Sequence, residues 1–221
     1  MRRIVALIIL LQIITMQAIG QKKTITYLAL GDSYTIGESV PAEENFPNQL
    51  AGMLRKKGMD VKNPDIVAKT GWTTDELMKA VSAASLQPKY DYVTLLIGVN
   101  NQYRGKSVDE YSLQFELLLM KAIKFAGGDE SHVIVVSIPD WGATPFARDK
   151  GSDRSKVTEE INAFNKENNH IAYRYKVKYV DITPGSREAL INPDLLASDK
   201  LHPSGMEYKR WAEAIVKVMG L

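Results

Sequence analysis

The sequence contains no cysteine, which excludes disulfide bonds, thiolate metal ligands and a cysteine nucleophile. It also lacks a marked excess of charge of either sign, since 28 basic residues stand against 26 acidic ones. No basic stripe or tail is present, so nucleic acid is not an expected partner. Internal repeats, low-complexity tracts and long linkers are also absent after residue 21. These absences leave a globular protein whose chemistry must come from oxygen and nitrogen side chains.

The longest apolar run lies at the N-terminus. Arg2-Arg3 precedes a mostly apolar segment over residues 4–14, and small residues follow at Ala18 and Gly20. A basic start, an apolar middle and a small-residue end are typical of a secretory signal peptide. The alternative is an uncleaved membrane anchor, but the run is shorter than the roughly 20 residues that span a bilayer, and Gln12 interrupts it. Residues 1–20 are therefore predicted to be a signal peptide that is cleaved after Gly20.

Cleavage would leave about 200 residues, which is enough for one domain with a sizeable core. Because Arg2 and Arg3 would be removed with the signal, 26 basic residues would then balance 26 acidic ones. An exported protein without disulfides must rely on its core alone for stability. We predict one domain over residues 21–221, periplasmic or secreted, that meets a membrane only through the N-terminal segment before cleavage.

Short apolar runs alternate with helical patterns along residues 21–221. Strands that read as nearly continuous apolar runs, each separated by a helix, indicate a parallel sheet covered on both faces. The predicted fold is a three-layer α/β/α domain of about five parallel strands, in which ligands lie beyond the carboxyl ends of the strands. The predicted strands are Thr24–Leu30, Ile66–Ala68, Tyr92–Ile97, Val133–Ile138 and Val177–Ile182, and the predicted helices are Phe46–Lys57, Asp75–Ala84, Val108–Phe125, Ser155–Tyr173 and a last one from Ser204.

Distinctive polar segments follow the first four predicted strands, and one more precedes the last helix. These segments are GDSYT at 31–35, KTGW at 69–72, GVNN at 98–101, PDWG at 139–142 and DKLHP at 199–203. Each alone has an ordinary structural interpretation, as a turn, a loop glycine or a helix cap. Because the fold places strand ends at one edge of the sheet, we expect these segments to lie close together.

Together the segments contain what ester hydrolysis requires. Ser33 can act as the nucleophile, His202 as the base, and Asp199 as the group that orients the imidazole. Two backbone N–H groups, those of Ser33 and Gly71, and the side-chain amide of Asn100 can hold the oxyanion. The other histidines do not follow a strand, so His202 is the candidate base. Asp32 is expected to brace the turn and not to act as the acid.

The segments GDSYT, the one around Gly71, GVNN and DKLHP, in this order, resemble the four sequence blocks of the SGNH hydrolases, also called GDSL-type esterases and lipases. The resemblance covers essentially residues 21–221 and implies a flavodoxin-like sheet and a serine mechanism without metal or organic cofactor. It assigns the family's Ser, Gly, Asn and His to Ser33, Gly71, Asn100 and His202, and its Asp to Asp199. Tyr34 replaces the usual Leu, and Asn101 replaces the more frequent Asp.

The resemblance implies a serine esterase, and the predicted signal peptide implies that it is exported. An acyltransferase or a lysophospholipase would use the same residues, and a non-catalytic binding module on the same fold is a further alternative. Five residues near strand ends are candidates for substrate binding, namely Trp72, Tyr103, Arg104, Asp140 and Trp141. Aromatic side chains there would suit a sugar ring or an acyl chain, and loop packing is the other interpretation for the two tryptophans. Since no long apolar insertion forms a lid, small or soluble esters such as acetylated carbohydrate are favoured as substrates.

Overall fold

The computed structural model describes residues 23–221, so the predicted signal peptide lies outside the described residues. A five-stranded parallel sheet runs through this part of the chain in the order β2-β1-β3-β4-β5. Leu30 of β1 is in register with Val67 of β2 on one side and with Leu95 of β3, the central strand, on the other. The strands are β1 Tyr27–Asp32, β2 Asp65–Lys69, β3 Tyr92–Leu96, β4 Val133–Val136 and β5 Lys178–Val180.

Helices follow the strands and cover the two faces of the sheet, which confirms the predicted α/β/α class. Helix α2 packs on α9 on one face, and α5 packs between α3 and α7 on the other. The α-helices are α1 Ser33–Ile36, α2 Phe46–Lys56, α3 Thr74–Ala83, α4 Val99–Tyr103, α5 Val108–Phe125, α6 Pro145–Asp149, α7 Arg154–Arg174, α8 Thr183–Arg187 and α9 Gly205–Met219.

Capping residues that can be recognised in the sequence begin several of these helices. Thr73 forms a capping box with Glu76 at the start of α3, and the Ser107 hydroxyl accepts a hydrogen bond from the Glu110 N–H at the start of α5. Trp211 and Ile215, four residues apart in α9, are both buried, so one face of this helix packs on the core. Local capping and periodicity therefore account for the long helices.

The structure differs from the sequence prediction mainly at strand ends. Strand β1 continues through Asp32, two residues beyond the predicted end, and the turn after it winds into α1. The residues after β3 form α4, which the pattern had not indicated because five residues are too few to show a helical period. Helices α6 and α8 also have five residues each, so the sequence pattern did not indicate them either. Helices α1 and α4 begin at the carboxyl ends of β1 and β3 and carry candidate site residues.

Over residues 23–221, no helix combines the length and the apolar character that a membrane crossing requires.

Candidate active site

Ser33 occupies the first position of α1, immediately after the last residue of β1. The Asp32 side chain caps this helix by accepting a hydrogen bond from the Tyr34 N–H at 3.0 Å. A Cβ atom on Gly31 would lie 2.5 Å from the carbonyl oxygen of Leu96, so only glycine fits this close approach of β1 to β3. The strand, the glycine and the cap together place the Ser33 hydroxyl at the carboxyl edge of the sheet.

His202 lies within hydrogen-bond distance of Ser33, although 169 positions separate the two residues. The distance from His202 Nε2 to Ser33 Oγ is 2.9 Å, and the distance from His202 Nδ1 to Asp199 Oδ2 is 2.6 Å. Asp199 Oδ1 accepts hydrogen bonds from the backbone N–H groups of Leu201 and His202, at 2.9 and 3.0 Å. The backbone donors hold one carboxylate oxygen, which leaves the other directed at the imidazole.

The Asp199 carboxyl is stabilised in its ionised form. Burial acts to raise the pKa of Asp199, but hydrogen bonds from His202, Ser39 and the backbone N–H groups of Leu201 and His202 outweigh it and hold the pKa below its ordinary value. A carboxylate in contact with Nδ1 favours the tautomer with its proton on that nitrogen. Nε2 is then free to accept the proton of the Ser33 hydroxyl.

Tyr34 packs against the imidazole. Its ring centroid lies 5.0 Å from that of His202, with the planes tilted by 53°, and only 3% of Tyr34 is exposed. On its other side the Tyr34 ring packs against Trp211 of α9. The tyrosine at the position where the family usually has leucine therefore forms one wall that holds His202 in place.

Two residues that carry candidate oxyanion donors, Gly71 and Asn100, line the same cavity as Ser33. Gly71 has a φ of +84°, a conformation that favours glycine, and its carbonyl accepts a hydrogen bond from the Arg104 guanidinium. The Asn100 Nδ2 group donates to the carbonyl oxygen of Trp72 at 3.0 Å, which fixes the orientation of the amide. An amide nitrogen carries two hydrogens, so the second remains to serve an oxyanion in the cleft.

Asn101 secures the helix that carries Asn100. Its side chain is fully buried, with Oδ1 accepting from the Thr74 N–H at 3.0 Å and Nδ2 donating to the Thr74 hydroxyl at 2.7 Å. Gly98 precedes this helix with a φ of +135°, and a Cβ there would lie 2.6 Å from the Tyr111 ring. Asparagine at position 101 therefore ties α4 to the start of α3, so the departure from the family pattern leaves the loop supported.

An open cleft of about 170 Å³ leads to Ser33. Of the five residues predicted to bind substrate, Tyr103 and Trp141 line it, whereas Trp72, Arg104 and Asp140 do not. The cleft is lined by Ser33, Tyr34, Thr70, Gly71, Val99, Asn100, Tyr103, Trp141, Phe146, Leu201 and His202. The structure thus brings Ser33 and His202 into one cavity with an aromatic wall, which is formed by Tyr103, Trp141 and Phe146.

The Asp140 side chain is buried outside the cleft, where it is hydrogen-bonded to neighbouring elements. Its carboxylate is 1% exposed and accepts hydrogen bonds from the Arg187 guanidinium at 2.9 Å, the Thr158 hydroxyl at 2.8 Å and the Gly142 N–H at 3.0 Å. These three donors occupy both carboxylate oxygens. Asp140 therefore fastens the loop after β4 to α7 and α8, outside the cleft.

Sequence reasoning missed two residues that shape the aromatic wall. Gln102 is buried, accepts a hydrogen bond from the Trp141 indole N–H at 2.7 Å and donates to Glu160 at 2.6 Å. Phe146 of α6 lines the cleft beside Trp141, with ring centroids 6.2 Å apart. Gln102 and Phe146 lie in five-residue helices that are too short to show a helical period, so neither residue carries a local signal of such a role.

A buried carboxyl group immediately precedes Ser33, the candidate nucleophile, in the chain. Asp32 is fully buried, its Oδ2 atom has no hydrogen-bond partner among the described residues, and burial raises its pKa to about 7. The hydrogen bond from the Tyr34 N–H opposes that rise without cancelling it. Since Asp32 does not contact the imidazole, it is a cap and not the orienting acid.

Comparison with known proteins decides which family this geometry belongs to. The model of the GDSL-like lipase/acylhydrolase family matches residues 29–210, from β1 into α9. The chain belongs to the GDSL-like lipase/acylhydrolase family. The family match covers all four sequence blocks described above and confirms the resemblance. This family member is an ester-hydrolysing enzyme.

Solved structures of other GDSL-type proteins have a similar fold. A lipase/acylhydrolase from Enterococcus faecalis is 19% identical, covers 89% of this chain and 96% of its own, and has a TM-score of 0.70. The acetylxylan esterase Axe2 from Geobacillus stearothermophilus is 21% identical over 92% and 96% of the two chains, with a TM-score of 0.67. The esterase EstA from Pseudoalteromonas sp. is 16% identical over 88% and 96%, with a TM-score of 0.66. At these identities the likeness shows the fold alone. A comparison with curated proteins finds no match.

Proposed function

We propose that the protein is an exported serine esterase that hydrolyses small, soluble carboxylic esters through Ser33, His202 and Asp199. One observation carries the proposal, namely the continuous chain of contacts from Ser33 Oγ to His202 Nε2 at 2.9 Å and from His202 Nδ1 to Asp199 Oδ2 at 2.6 Å. A nucleophile, a base and an orienting acid within hydrogen-bond distance form the arrangement required for acyl transfer through a serine.

In the first half of the reaction, Ser33 Oγ attacks the acyl carbonyl and its proton passes to His202 Nε2. Asp199 stabilises the resulting imidazolium without taking the proton. The tetrahedral intermediate then collapses, the alcohol leaves with the proton from Nε2, and the acyl group stays on Ser33. In the second half, Nε2 takes a proton from water, the hydroxide attacks the acyl-enzyme, and the acid is released as Ser33 regains its proton.

The developing oxyanion is assigned to three donors, the backbone N–H groups of Ser33 and Gly71 and the amide of Asn100. Support comes from the restraints on two of them: Arg104 holds the Gly71 carbonyl, and the Trp72 carbonyl holds the Asn100 amide. Donors that need no rearrangement when charge develops give the largest stabilisation of the transition state.

The substrate proposal rests on the cleft. Its volume of about 170 Å³ is smaller than the roughly 300–1,000 Å³ of pockets that enclose drug-sized ligands, which favours a short acyl group such as acetyl. Tyr103 is 44% exposed at the cleft and packs edge-on against Trp141, with ring centroids 5.3 Å apart. An exposed aromatic ring beside a small cavity suits the alcohol part of an acetylated carbohydrate.

Export is proposed from residues 1–20 alone, on the basic, apolar and small-residue pattern of that segment. Expression of the full chain in a bacterial host, followed by mass measurement of the exported protein, tests this part. A mass equal to residues 21–221 is the expected result. An intact N-terminus in the membrane fraction would contradict cleavage.

The catalytic assignment is tested with p-nitrophenyl acetate and the Ser33→Ala variant. We expect hydrolysis by the wild type and a fall of about 10³-fold or more in the variant, at an unchanged melting temperature. Equal rates in the two proteins would refute the assignment. Esters of increasing acyl length, together with acetylated xylo-oligosaccharide and a lysophospholipid, then test the substrate class, and an added alcohol reveals any transfer that competes with hydrolysis.

A further inference from the structure

The loop over residues 37–40, which follows the nucleophile's helix, has an unusual backbone. Ser39 has a φ of +66°, a conformation that side-chain-bearing residues rarely adopt and that glycine or asparagine would adopt more readily. Strained backbone of this kind persists where the surrounding structure over-determines it, and it is concentrated at functional sites. A serine kept in this strained conformation therefore suggests a function for its side chain.

The Ser39 hydroxyl contacts the orienting acid. Ser39 Oγ donates a hydrogen bond to Asp199 Oδ2 at 2.7 Å, although 160 positions separate the two residues. This is the same oxygen that contacts His202 Nδ1 at 2.6 Å. The other oxygen, Oδ1, is held by two backbone N–H groups. Ser39 thus supplies the one side-chain donor besides the imidazole that the described residues direct at this carboxylate.

The same loop is fastened to the rest of the active site. The N–H groups of Gly37 and Glu38 donate to the carbonyl oxygen of Ser33 at 3.1 and 3.0 Å. The Glu38 carboxylate accepts a hydrogen bond from the Thr70 hydroxyl, one residue before Gly71. The loop therefore connects the nucleophile's helix with both the acid and the oxyanion side of the cleft.

We propose that Ser39 is a positioning residue for ester hydrolysis, whose hydroxyl holds Asp199 Oδ2 in line with the imidazole of His202. The proposal rests on the proposed function of Ser33, His202 and Asp199. About 30% of the Asp199 side chain is accessible to solvent, so water would compete for Oδ2 if the hydroxyl were absent. A serine that only closed the turn would be replaced by glycine without consequence for turnover.

The hydrogen bond also has an electrostatic consequence. It is one of the contacts that hold the pKa of Asp199 down, which means that it draws negative charge away from Oδ2. Without Ser39, Oδ2 would stabilise the imidazolium form of His202 more strongly. The acid limb of the pH–rate profile would then move to higher pH, because the base would lose its free electron pair at a higher pH.

Three substitutions of Ser39 distinguish the effect of its hydroxyl from the effect of its backbone conformation. Ser39→Ala removes the hydroxyl and keeps Cβ, Ser39→Gly removes both and relieves the strain, and Ser39→Asn tolerates the left-handed conformation while supplying an amide N–H donor. We expect kcat on p-nitrophenyl acetate to fall about three- to tenfold in the alanine and glycine variants, with KM unchanged. The asparagine variant should recover most of the lost turnover, and the glycine variant should melt at the wild-type temperature or above.

Lys176 provides the matched control. It also has a positive φ, +56°, but it follows α7 away from the cleft, so Lys176→Gly should change the melting temperature and leave kcat and the pH profile unchanged. The acid limb should move to higher pH in Ser39→Ala and Ser39→Gly and stay in place in Lys176→Gly. All variants are compared in the same full chain as the wild type.

Two results would overturn the proposal: wild-type kcat in Ser39→Ala, or a lower kcat with an unmoved acid limb and no recovery in Ser39→Asn. The second result would show that the loop acts through packing and not through the hydroxyl. Ser33→Ala, measured alongside, keeps this outcome distinct from failure of the proposed function. If Ser33→Ala is inactive while the Ser39 variants match the wild type, only the role of Ser39 is refuted.

Discussion

Replacement of Asp199 by asparagine tests how the imidazole is oriented. The two carboxylate oxygens have different partners. Oδ1 accepts from the backbone N–H groups of Leu201 and His202, and Oδ2 contacts His202 Nδ1 and accepts from the Ser39 hydroxyl. In Asp199→Asn the amide oxygen would remain on the backbone side, because a flipped amide would set its own N–H₂ against two N–H donors. The amide nitrogen would then face Nδ1 and donate to it.

That arrangement places the proton of His202 on the wrong nitrogen. With Nδ1 accepting, the proton resides on Nε2, which can no longer take the Ser33 proton. An inverted tautomer in a serine triad lowers turnover by about 10⁴-fold, equivalent to about 5 kcal/mol of transition-state stabilisation. The effect on stability should be much smaller, about 1 kcal/mol or less, since the side chain is partly exposed and both backbone hydrogen bonds survive.

The measurement is kcat/KM for p-nitrophenyl acetate at neutral pH, with thermal unfolding of the same samples. A change of 1 kcal/mol shifts the melting temperature of a domain of this size by about 2–4 °C. Asp194→Asn, an exposed aspartate in the same segment, is the matched control and should retain wild-type turnover. Wild-type turnover in Asp199→Asn, or a loss of turnover that merely follows a loss of folded protein, would refute the reasoning.

Three further predictions concern the rest of the site. Asn100→Ala should lower kcat by about 10²–10³-fold with little change in KM, and a rise in KM alone would exclude its oxyanion role. The hydrolysis rate should fall at acidic pH, because a protonated imidazole cannot accept the Ser33 proton, and a rate independent of pH would exclude His202 as the base. The pKa of Asp32 is raised from 3.8 to about 7, so its contribution favours the folded state below pH 4 and is lost as the pH rises to 7. In denaturant unfolding, the free energy of unfolding of Asp32→Asn should therefore exceed that of the wild type by an amount that grows from pH 4 to 7, up to about 4 kcal/mol. A difference that does not depend on pH would contradict the raised pKa of Asp32.

Much of the fold could be predicted because its signals are local. The limits of α5 follow from the Ser107 cap and the apolar period of residues 108–125, and the structure has this helix where the pattern places it. Each strand is an apolar run of a few residues, and a parallel sheet buries both faces of such runs. The errors lie at strand ends, where β1 continues through Asp32, because an acid at the end of a strand looks like a turn in the sequence.

The candidate site, too, could be predicted only in part. The residue types and their order along the chain were enough to nominate Ser33, Gly71, Asn100, Asp199 and His202, since each follows a strand or precedes the last helix. The same logic nominated Asp140, which also follows a strand, and the structure instead pairs its carboxylate with Arg187. Position along the chain identifies the edge of the sheet, and it does not tell which side chains turn into the cleft.

The sequence by itself determined the alternation of strands and helices, the family blocks and the edge of the sheet at which they meet, because caps and apolar periods act over a few residues. Only the tertiary structure decided which groups touch across that edge. The Ser39 hydroxyl on the Asp199 carboxylate and the Gln102 amide on the Trp141 indole join residues 160 and 39 positions apart. Such contacts depend on how loops pack after the sheet has formed, and no local pattern encodes them.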